Sequence, residues 1–245
     1  MEKLLIKQVS ATDTTQEAAV ICQQLLEQSG FFKNSKRLLL LSGGSCLDVA
    51  KFLLESLAKE KLLSGTMISL GDERWVEVNS ADSNQHQLEA RGLITLIQDN
   101  GGEFIPFLGQ ETKPKEATSR LNHRLHQLIE EQTSIFLLAG MGEDGHTLGI
   151  LPDPYAQRFS GLFSSTDLVV YYHLADQQVN PFRKRLTLSL SALPFIAQVV
   201  IFAVGDKKQS ALEHLQKKDQ NLNQLPALGL YLSPGELVVI TDQNL

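Results

Sequence analysis

The sequence predicts an α/β protein with a single doubly wound, mostly parallel sheet that is flanked by helices. Short uncharged apolar runs of strand length occur at residues 38–41, 135–139 and 199–204. Segments with a helical periodicity of apolar residues lie between such runs, and this alternation is typical of repeated βα units. The 245 residues contain no internal repeat and no low-complexity linker. We therefore expect a single domain over residues 1–245.

Each element follows from its own apolar pattern. The predicted strands cover residues 37–41, 66–70, 134–139, 167–173, 198–204 and 236–241. The predicted helices carry apolar stripes at residues 18–26, 47–57 and 121–129, begin near residues 82–84, and cover residues 206–216. The polar stretch 217–224 is predicted to be a surface loop.

The charge balance excludes some classes of partner. Lys and Arg number 22 and Asp and Glu number 28, which gives a formal net charge of −6 at pH 7. No overall basic field is available to hold nucleic acid or an anionic membrane, so an anionic ligand needs a local site. The apolar runs are also far shorter than the roughly 20 residues that span a bilayer.

The N-terminal segment and the cysteines predict a cytoplasmic protein. Glu2 places an acid at the start and Lys7 interrupts the apolar run, which argues against a signal peptide. Cys22 and Cys46 are the two cysteines, and they have no metal-ligand spacing. We expect both to be reduced thiols, with Cys22 in the core.

Three polar loops that contain glycine each follow a predicted strand directly, at residues 42–45, 71–74 and 140–147. In open α/β sheets the ligand binds outside the carboxyl ends of the strands. These three loops are therefore predicted to form the ligand-binding site.

The first loop, Ser42-Gly43-Gly44-Ser45, precedes a predicted helix. Backbone N–H groups and the helix dipole can bind an anion there, and glycines allow a close approach. The loop is neither a Walker loop nor a dinucleotide-binding fingerprint, because the required Gly-Lys-Ser/Thr and G-x-G-x-x-G patterns are absent. The alternative is that Ser45 caps the helix after a tight turn.

The second loop, Asp72-Glu73-Arg74, combines two acids with an arginine at a strand end. Its alternative interpretation is a solvated turn with local ion pairs. Trp75, the single tryptophan, is interpreted as a packing residue.

The third loop is the most informative, because three glycines within residues 140–145 accompany Asp144 and His146. Histidine is the usual general base near neutral pH, and an adjacent carboxylate can orient it or stabilise its protonated form. The alternative is a structural histidine that caps a helix. Arg185 and Lys208 are candidate phosphate partners, because an acidic protein needs local cations to hold a phosphorylated metabolite. Surface or core roles are expected for the other histidines, His86, His123, His126, His173 and His214.

The order and spacing of these blocks resemble the 6-phosphogluconolactonase family, which shares a superfamily with the glucosamine-6-phosphate deaminases. The Asp-Glu-Arg and Gly-His-Thr blocks are together specific for this resemblance. The matching blocks are residues 41–45, 71–76 with 82–84, 140–147 with 151–152, 185–188, 205–208 and 226–227. The resemblance covers nearly the whole chain and implies a Rossmann-like fold of the sugar-phosphate isomerase type.

The resemblance implies hydrolysis of 6-phospho-D-glucono-1,5-lactone to 6-phospho-D-gluconate, without a metal or an organic cofactor. His146 resembles the family's general base, Asp144 its neighbouring acid, and Arg74 the cation near the lactone. Arg74 or a glycine-loop amide is the hypothesis for the group that holds the oxyanion. The implied partner is a phosphorylated sugar lactone, with neither nucleic acid nor membrane. The implied substrate- and phosphate-binding residues are Ser42, Gly43, Gly44, Ser45, Asp72, Arg185 and Lys208.

The chain departs from the family pattern at three places. Cys46-Leu47 stands where the family usually has Thr-Pro, and Glu77 stands where it usually has proline. After Gly-His-Thr, Leu148-Gly149 replaces the usual Ala-Ser. None of these changes removes a proposed catalytic group.

Two alternatives belong to other functional classes. A glucosamine-6-phosphate deaminase usually has a glutamate before the proline, where this chain has Leu151, and an aromatic residue where it has Arg74. Leucine cannot relay a proton, so both positions favour the lactonase. A non-catalytic sugar-phosphate sensor usually carries a DNA-binding helix-turn-helix, whereas the segment before the first loop contains only a strand and one helix with no basic patch. A catalytically inactive pocket is the remaining form of this alternative, and the presence of His146, Asp144 and Arg74 argues against it.

Overall fold

The computed structural model describes residues 3–10, 12–174 and 182–245. The N-terminal residue Glu2 lies outside these ranges. The strands within them are β1 (Leu4–Gln8), β2 (Arg37–Leu41), β3 (Thr66–Leu70), β4 (Asp72–Arg74), β5 (Glu103–Ile105), β6 (Ser134–Gly140), β7 (Val169–His173), β8 (Lys184–Leu188), β9 (Gln198–Phe202) and β10 (Leu237–Thr241). The α-helices are α1 (Thr14–Gln28), α2 (Cys46–Lys59), α3 (Asn84–Ala90), α4 (Leu93–Asp99), α5 (Pro114–Glu130), α6 (Ala156–Phe163) and α7 (Gln209–Lys217).

The predicted parallel sheet is confirmed. Seven strands pair in the order β1-β10-β9-β6-β2-β3-β5, and every pairing is parallel. The chain adds β3 and β5 on one side of β2 and then returns to add β6, β9 and β10 on the other side. The strand order therefore reverses between β2 and β6. In doubly wound sheets this reversal opens a crevice at the carboxyl ends of the two strands, where ligands bind.

The central strands are nearly continuous apolar runs because helices cover both faces of a parallel sheet. Residues 38–41 of β2 and 135–139 of β6 are buried throughout. Helix α2 packs one apolar face against the sheet, and this face includes Leu47, Leu53 and Leu57. The buried apolar residues of both sheets and the helices form one continuous core.

The structure adds a small antiparallel sheet, in the order β4-β8-β7, at the same end of the molecule as the loops. In its register Asp72 lies opposite Thr187 and Arg74 lies opposite Arg185. Opposed residues of antiparallel strands share a face, and side chains alternate along each strand. These four side chains therefore lie on one face of the small sheet, and Glu73 lies on the other. The solvated-turn interpretation of this segment is wrong.

Other predicted elements agree closely with the structure. The helix predicted for residues 206–216 begins as a 3₁₀ turn at Asp206–Lys208 and continues as α7. The sequence does not predict helices α4 and α6 or strands β4, β5 and β8, because each is short and lacks a full periodic pattern. Across the described ranges no helix combines the length and the apolar character needed to cross a bilayer.

Candidate active site

A cavity of about 230 Å³ opens at the carboxyl ends of the parallel strands. The structure brings nine of the ten predicted site residues together in its lining: Ser42, Gly43, Gly44, Ser45, Asp72, Arg74, His146, Arg185 and Lys208. The tenth, Asp144, contacts His146. These residues come from both sides of the strand reversal and from the small sheet.

The loop after β2 presents unpaired backbone amides to the cavity. The N–H groups of Gly43, Gly44 and Ser45 have no hydrogen-bond partner among the described residues. They lie at the N-terminus of α2, where the helix dipole favours an anion. Gly44 adopts a φ of +66° in the left-handed region, which favours glycine. The Ser45 side chain makes no capping hydrogen bond to α2, so the capping interpretation is wrong.

Gly43 is required by a close approach to α3. A Cβ at position 43 would lie 2.1 Å from Oδ1 of Asn84. The Asn84 side chain donates from Nδ2 to the Asp72 carbonyl at 3.0 Å, whereas its buried Oδ1 has no hydrogen-bond partner within the described part of the chain. The buried hydroxyl of Ser42 is likewise unpartnered there. Both residues line the cavity and are available to a polar ligand.

Glu73 faces away from the cavity and fixes the start of α3. Its carboxylate accepts hydrogen bonds from the N–H groups of Arg74, Asn84 and Gln85, each at 2.7 Å, and from the Ser83 hydroxyl at 3.0 Å. Burial raises the pKa of Glu73 to about 6, against the opposing effect of these hydrogen bonds. Because it occupies the N-terminal amides of α3, Glu73 has a structural role.

Asp72 and Arg185 form a buried ion pair in the cavity wall. Oδ2 of Asp72 lies 3.5 Å from Nη1 of Arg185, and the two residues are 5% and 6% exposed. Arg185 also donates from Nε to the Phe182 carbonyl at 3.0 Å. Burial raises the pKa of Asp72 above its ordinary value, although the charges of Arg185 and Arg74 oppose the shift. Arg185 thus neutralises a wall carboxylate as well as lining the cavity.

Arg74 is held by two contacts. Its Nη1 donates to the Asp82 carbonyl at 2.8 Å, and its guanidinium carbon lies 4.6 Å from the centre of the Phe182 ring. This cation–π contact and the hydrogen bond fix the side chain at the edge of the cavity.

The loop after β6 holds an imidazole and a carboxylate in contact. The Gly142 N–H donates to the His146 carbonyl at 2.8 Å, which closes the loop on itself. Nδ1 of His146 lies 2.6 Å from Oδ1 of Asp144, and the His146 backbone N–H donates to the same oxygen at 3.1 Å. Partial burial opposes ionisation of Asp144, but the hydrogen bond and charge of His146 lower its pKa below the ordinary value. The ring contacts Asp144 and lines the cavity, so the helix-cap interpretation of His146 is wrong.

Gly142 is required by the position of this imidazole. A Cβ at position 142 would lie 2.1 Å from Nδ1 of His146. We expect Gly142→Ala to displace the ring and lower kcat by about 10²-fold, since a displacement of about 1 Å can cost that much. The measurement is the steady-state rate at which the purified variant hydrolyses the phosphorylated lactone that the sequence resemblance implies. Gly161→Ala is the matched control, because a Cβ at Gly161 meets no atom within 4 Å; equal rates for the two variants would contradict the expectation.

Lys208 lies at the junction of the 3₁₀ turn and α7 and lines the cavity. No carboxylate in the described ranges pairs with its ammonium group. The adjacent Lys207 differs, because it is 80% exposed and lies 3.6 Å from Glu143. Lys208 is therefore the cation of this pair that is available to a ligand in the cavity.

Several lining residues were not predicted as site residues. These are Asn84, Gly140, Met141, Gly142, Leu148 and Gly149. Asn84 and the Leu148-Gly149 pair belong to blocks that the sequence analysis singled out, but without an assigned role. Within residues 3–10, 12–174 and 182–245, no three His, Cys, Asp or Glu side chains are grouped to hold a metal ion.

Comparison with known proteins identifies relatives over almost the full length. The family described as glucosamine-6-phosphate isomerases/6-phosphogluconolactonase matches residues 8–239. A 6-phosphogluconolactonase from Synechocystis sp. is 25% identical over 235 residues, which cover 93% of this chain and 91% of that protein. A glucosamine-6-phosphate deaminase from Staphylococcus saprophyticus is 22% identical over 223 residues, which cover 86% and 87% of the two chains.

The fold is also that of solved structures. The crystal structure of a 6-phosphogluconolactonase from Thermotoga maritima matches with a TM-score of 0.74 at 21% sequence identity, covering 98% of this chain and 99% of that one. Since the family match extends over residues 8–239, this chain belongs to the glucosamine-6-phosphate isomerase/6-phosphogluconolactonase family.

Proposed function

We propose that this protein hydrolyses 6-phospho-D-glucono-1,5-lactone to 6-phospho-D-gluconate, a step of the pentose phosphate pathway. The observation that carries the proposal is the His146–Asp144 pair, at 2.6 Å, beside a cavity that also holds unpaired amides and cations. A general base and an anion site in one sugar-sized cavity are what hydrolysis of a phosphorylated lactone needs.

His146 is the proposed general base. When Nδ1–H donates to the Asp144 carboxylate, the lone pair of Nε2 is free to accept a proton. A water then attacks C1 of the lactone and gives its proton to Nε2, and the former carbonyl oxygen becomes an oxyanion. Collapse of this intermediate breaks the bond between C1 and the ring oxygen, which takes up the proton from the imidazolium. The product is the open-chain acid, so atoms and charge balance without a covalent enzyme intermediate.

The substrate phosphate is proposed to bind at the N-terminus of α2. The unpaired N–H groups of Gly43 and Gly44, with Lys208 and Arg185, supply donors and positive charge there. The hydroxyls of Ser42 and Ser45 complete the proposed phosphate site. Asp72 is proposed as a substrate-binding residue that holds Arg185 rather than as a ligand of the phosphate. Holding the phosphate fixes the ring, so that C1 stays before the base.

Lys208→Ala should raise KM for the phosphorylated lactone about 10- to 150-fold, since a charge-assisted hydrogen bond contributes about 1.5–3 kcal/mol. The neighbouring Lys207→Ala is the matched control, because Lys207 is exposed and already near Glu143. The measurement is KM for the phosphorylated lactone, beside kcat/KM for an unphosphorylated lactone. A KM for Lys208→Ala equal to that of Lys207→Ala would remove this lysine from the phosphate site.

Deaminase activity is the second candidate, because relatives of both names are found. Leu151 is buried and is not among the residues that line the cavity, and it stands where the deaminases have their glutamate. Position 151 therefore offers no carboxylate for ring opening of an amino sugar.

The test is a direct comparison of the two reactions on the purified protein. Lactone hydrolysis is measured with correction for spontaneous hydrolysis, and ammonia release is measured with glucosamine 6-phosphate. We expect enzymatic lactone hydrolysis without ammonia release. Ammonia release without lactonase activity would select the deaminase instead.

We further propose that residues 1–245 act as one cytoplasmic domain. One continuous apolar core supports the single domain. Two buried free thiols, Cys22 and Cys46, support a reducing compartment.

A further inference from the structure

A two-residue hairpin turn follows His146 and lines the cavity. The Thr147 N–H donates to the Ile150 carbonyl at 3.3 Å, and the Ile150 N–H donates back at 2.7 Å. The central residues Leu148 and Gly149 have φ values of +51° and +69°. Positive φ at both central positions is the pattern of a type I′ turn, and leucine adopts it rarely. Leu148-Gly149, which stands where the family usually has Ala-Ser, therefore also has an unusual left-handed backbone conformation.

The carbonyl groups of the turn are held by the small sheet. The Thr187 hydroxyl donates to the Leu148 carbonyl, and the Tyr172 hydroxyl donates to the Gly149 carbonyl. Tyr172 lies opposite Arg185 in the β7–β8 register, so both hydroxyls come from the cavity face of that sheet. In a trans peptide the N–H points opposite to the carbonyl, so the Gly149 N–H is turned away from Thr187.

The N–H groups of the turn have no hydrogen-bond partner in the described ranges. Leu148 and Gly149 are nevertheless buried, and both line the cavity. Buried backbone N–H groups are almost always paired, so two adjacent unpaired ones beside a cavity indicate a ligand acceptor.

We propose that the N–H groups of Leu148 and Gly149 bind the C1 oxygen of the lactone and stabilise its negative charge in the tetrahedral intermediate. The inference rests on the proposed hydrolysis and assigns its oxyanion donors. The turn begins directly after the proposed base His146. One loop can therefore supply both the base that activates the water attacking C1 and the amides that bind the C1 oxygen. Amides fixed in advance need no rearrangement as the charge develops, which is the main source of such stabilisation.

The surroundings of the turn favour the C1 oxygen over the phosphate as its ligand. A Cβ on Gly149 would lie 2.7 Å from Oδ2 of Asp72 and 3.1 Å from Nη1 of Arg185, so the cation nearest the turn is already paired with a buried carboxylate. A phosphate dianion is better placed at the α2 amides and Lys208, which have no such carboxylate partner in the described ranges. The C1 oxygen carries at most one charge, and only transiently. Arg74, the other candidate donor, uses Nη1 for the Asp82 carbonyl and stacks on the Phe182 ring, whereas its Nε has no hydrogen-bond partner in the described ranges and can act beside the turn amides.

Thr187 and Tyr172 are positioning residues in this proposal. Thr187→Val removes the hydroxyl that holds the Leu148 carbonyl, and Tyr172→Phe removes the one that holds Gly149. We expect each variant to lower kcat at least tenfold with KM for the phosphorylated lactone unchanged, and to lower the rate on an unphosphorylated lactone by the same factor. Thr187→Ser, which keeps the hydroxyl, should recover most of kcat. Tyr231→Phe is the matched control, because the Tyr231 hydroxyl donates to the Leu215 carbonyl outside the cavity.

The most direct variant replaces the peptide bond between residues 148 and 149 with an ester by semisynthesis, which removes the Gly149 N–H and keeps the side chains. The ester also weakens the Leu148 carbonyl as an acceptor from Thr187, and Thr187→Val measures that contribution separately. Loss of one oxyanion donor should lower kcat by about 10²- to 10³-fold. This measurement decides the matter even where Thr187→Val fails to fold. A rise in KM confined to the phosphorylated substrate would assign the turn to the phosphate, and an unchanged kcat in the ester would overturn the proposal. A wild type without lactonase activity would instead overturn the proposed function itself.

Discussion

Replacing His146 with alanine should lower kcat for lactone hydrolysis by about 10²- to 10⁴-fold, the usual contribution of a positioned general base. The imidazole lines the cavity, and Asp144 holds it through Nδ1 in the orientation that a general base requires. The alanine variant keeps the glycine loop, because the Gly142 N–H donates to the backbone carbonyl of residue 146. Activity is measured at saturating lactone after subtraction of spontaneous hydrolysis, and the fold is monitored by thermal unfolding.

The chain offers a matched control in a second His–Asp pair. His214 lies 2.8 Å from Asp219 through the same ring nitrogen and is about as exposed as His146, but it does not line the cavity. We expect His214→Ala to retain the wild-type rate. Wild-type turnover in His146→Ala would remove this histidine from the mechanism, and equal losses in both variants would indicate a general effect of removing imidazoles.

Replacing Arg185 with alanine should lower the free energy of unfolding by about 3–5 kcal/mol, because it leaves the Asp72 carboxylate buried without its partner. The pair is almost inaccessible to solvent and sits where the small sheet meets the loops of the large one. In a protein of this size such a loss corresponds to a fall in Tm of roughly 6–20 °C. Urea denaturation at neutral pH measures the effect.

Arg91→Ala is the matched control for burial. Arg91 lies 3.4 Å from Asp48, almost the distance of the buried pair, but both side chains are substantially exposed. Exposed pairs contribute about 0–1 kcal/mol, so this variant should be nearly as stable as the wild type. Similar stabilities for Arg185→Ala and Arg91→Ala would show that the buried pair does not stabilise the fold.

The sequence predicts those features whose physical cause is local. Residues 37–41 and 134–139 are apolar because both faces of their strands are covered, and the polar loops after them mark the end of burial. Asp144 and His146 could be assigned together because a single residue, Gly145, separates them on a loop rich in glycine. The carboxyl ends of parallel strands lie at the same edge of the sheet, so the loops that follow these strands are expected to lie together.

Features that depend on long-range register could not be predicted in this way. Arg185 meets Asp72 only because β8 pairs with β4, and the two residues are 113 positions apart. The role of Glu73 as a cap for α3 follows from strand alternation, which a three-residue strand does not reveal in its sequence. The unpaired amides of Leu148 and Gly149 depend on backbone conformation and on hydroxyls from two other strands.

The alternation of β4 limits how this protein can vary in length. Asp72 and Arg74 point from one side of this short strand into the cavity. Glu73 points from the other side and accepts hydrogen bonds from the first N–H groups of α3. A one-residue insertion or deletion between β3 and β4 would exchange the two sides, because a slip of one position turns every side chain over. It would aim the glutamate at the substrate and set the aspartate and arginine against the helix start. We therefore expect insertions and deletions at this junction, where residues 69–73 are all buried, to abolish the site.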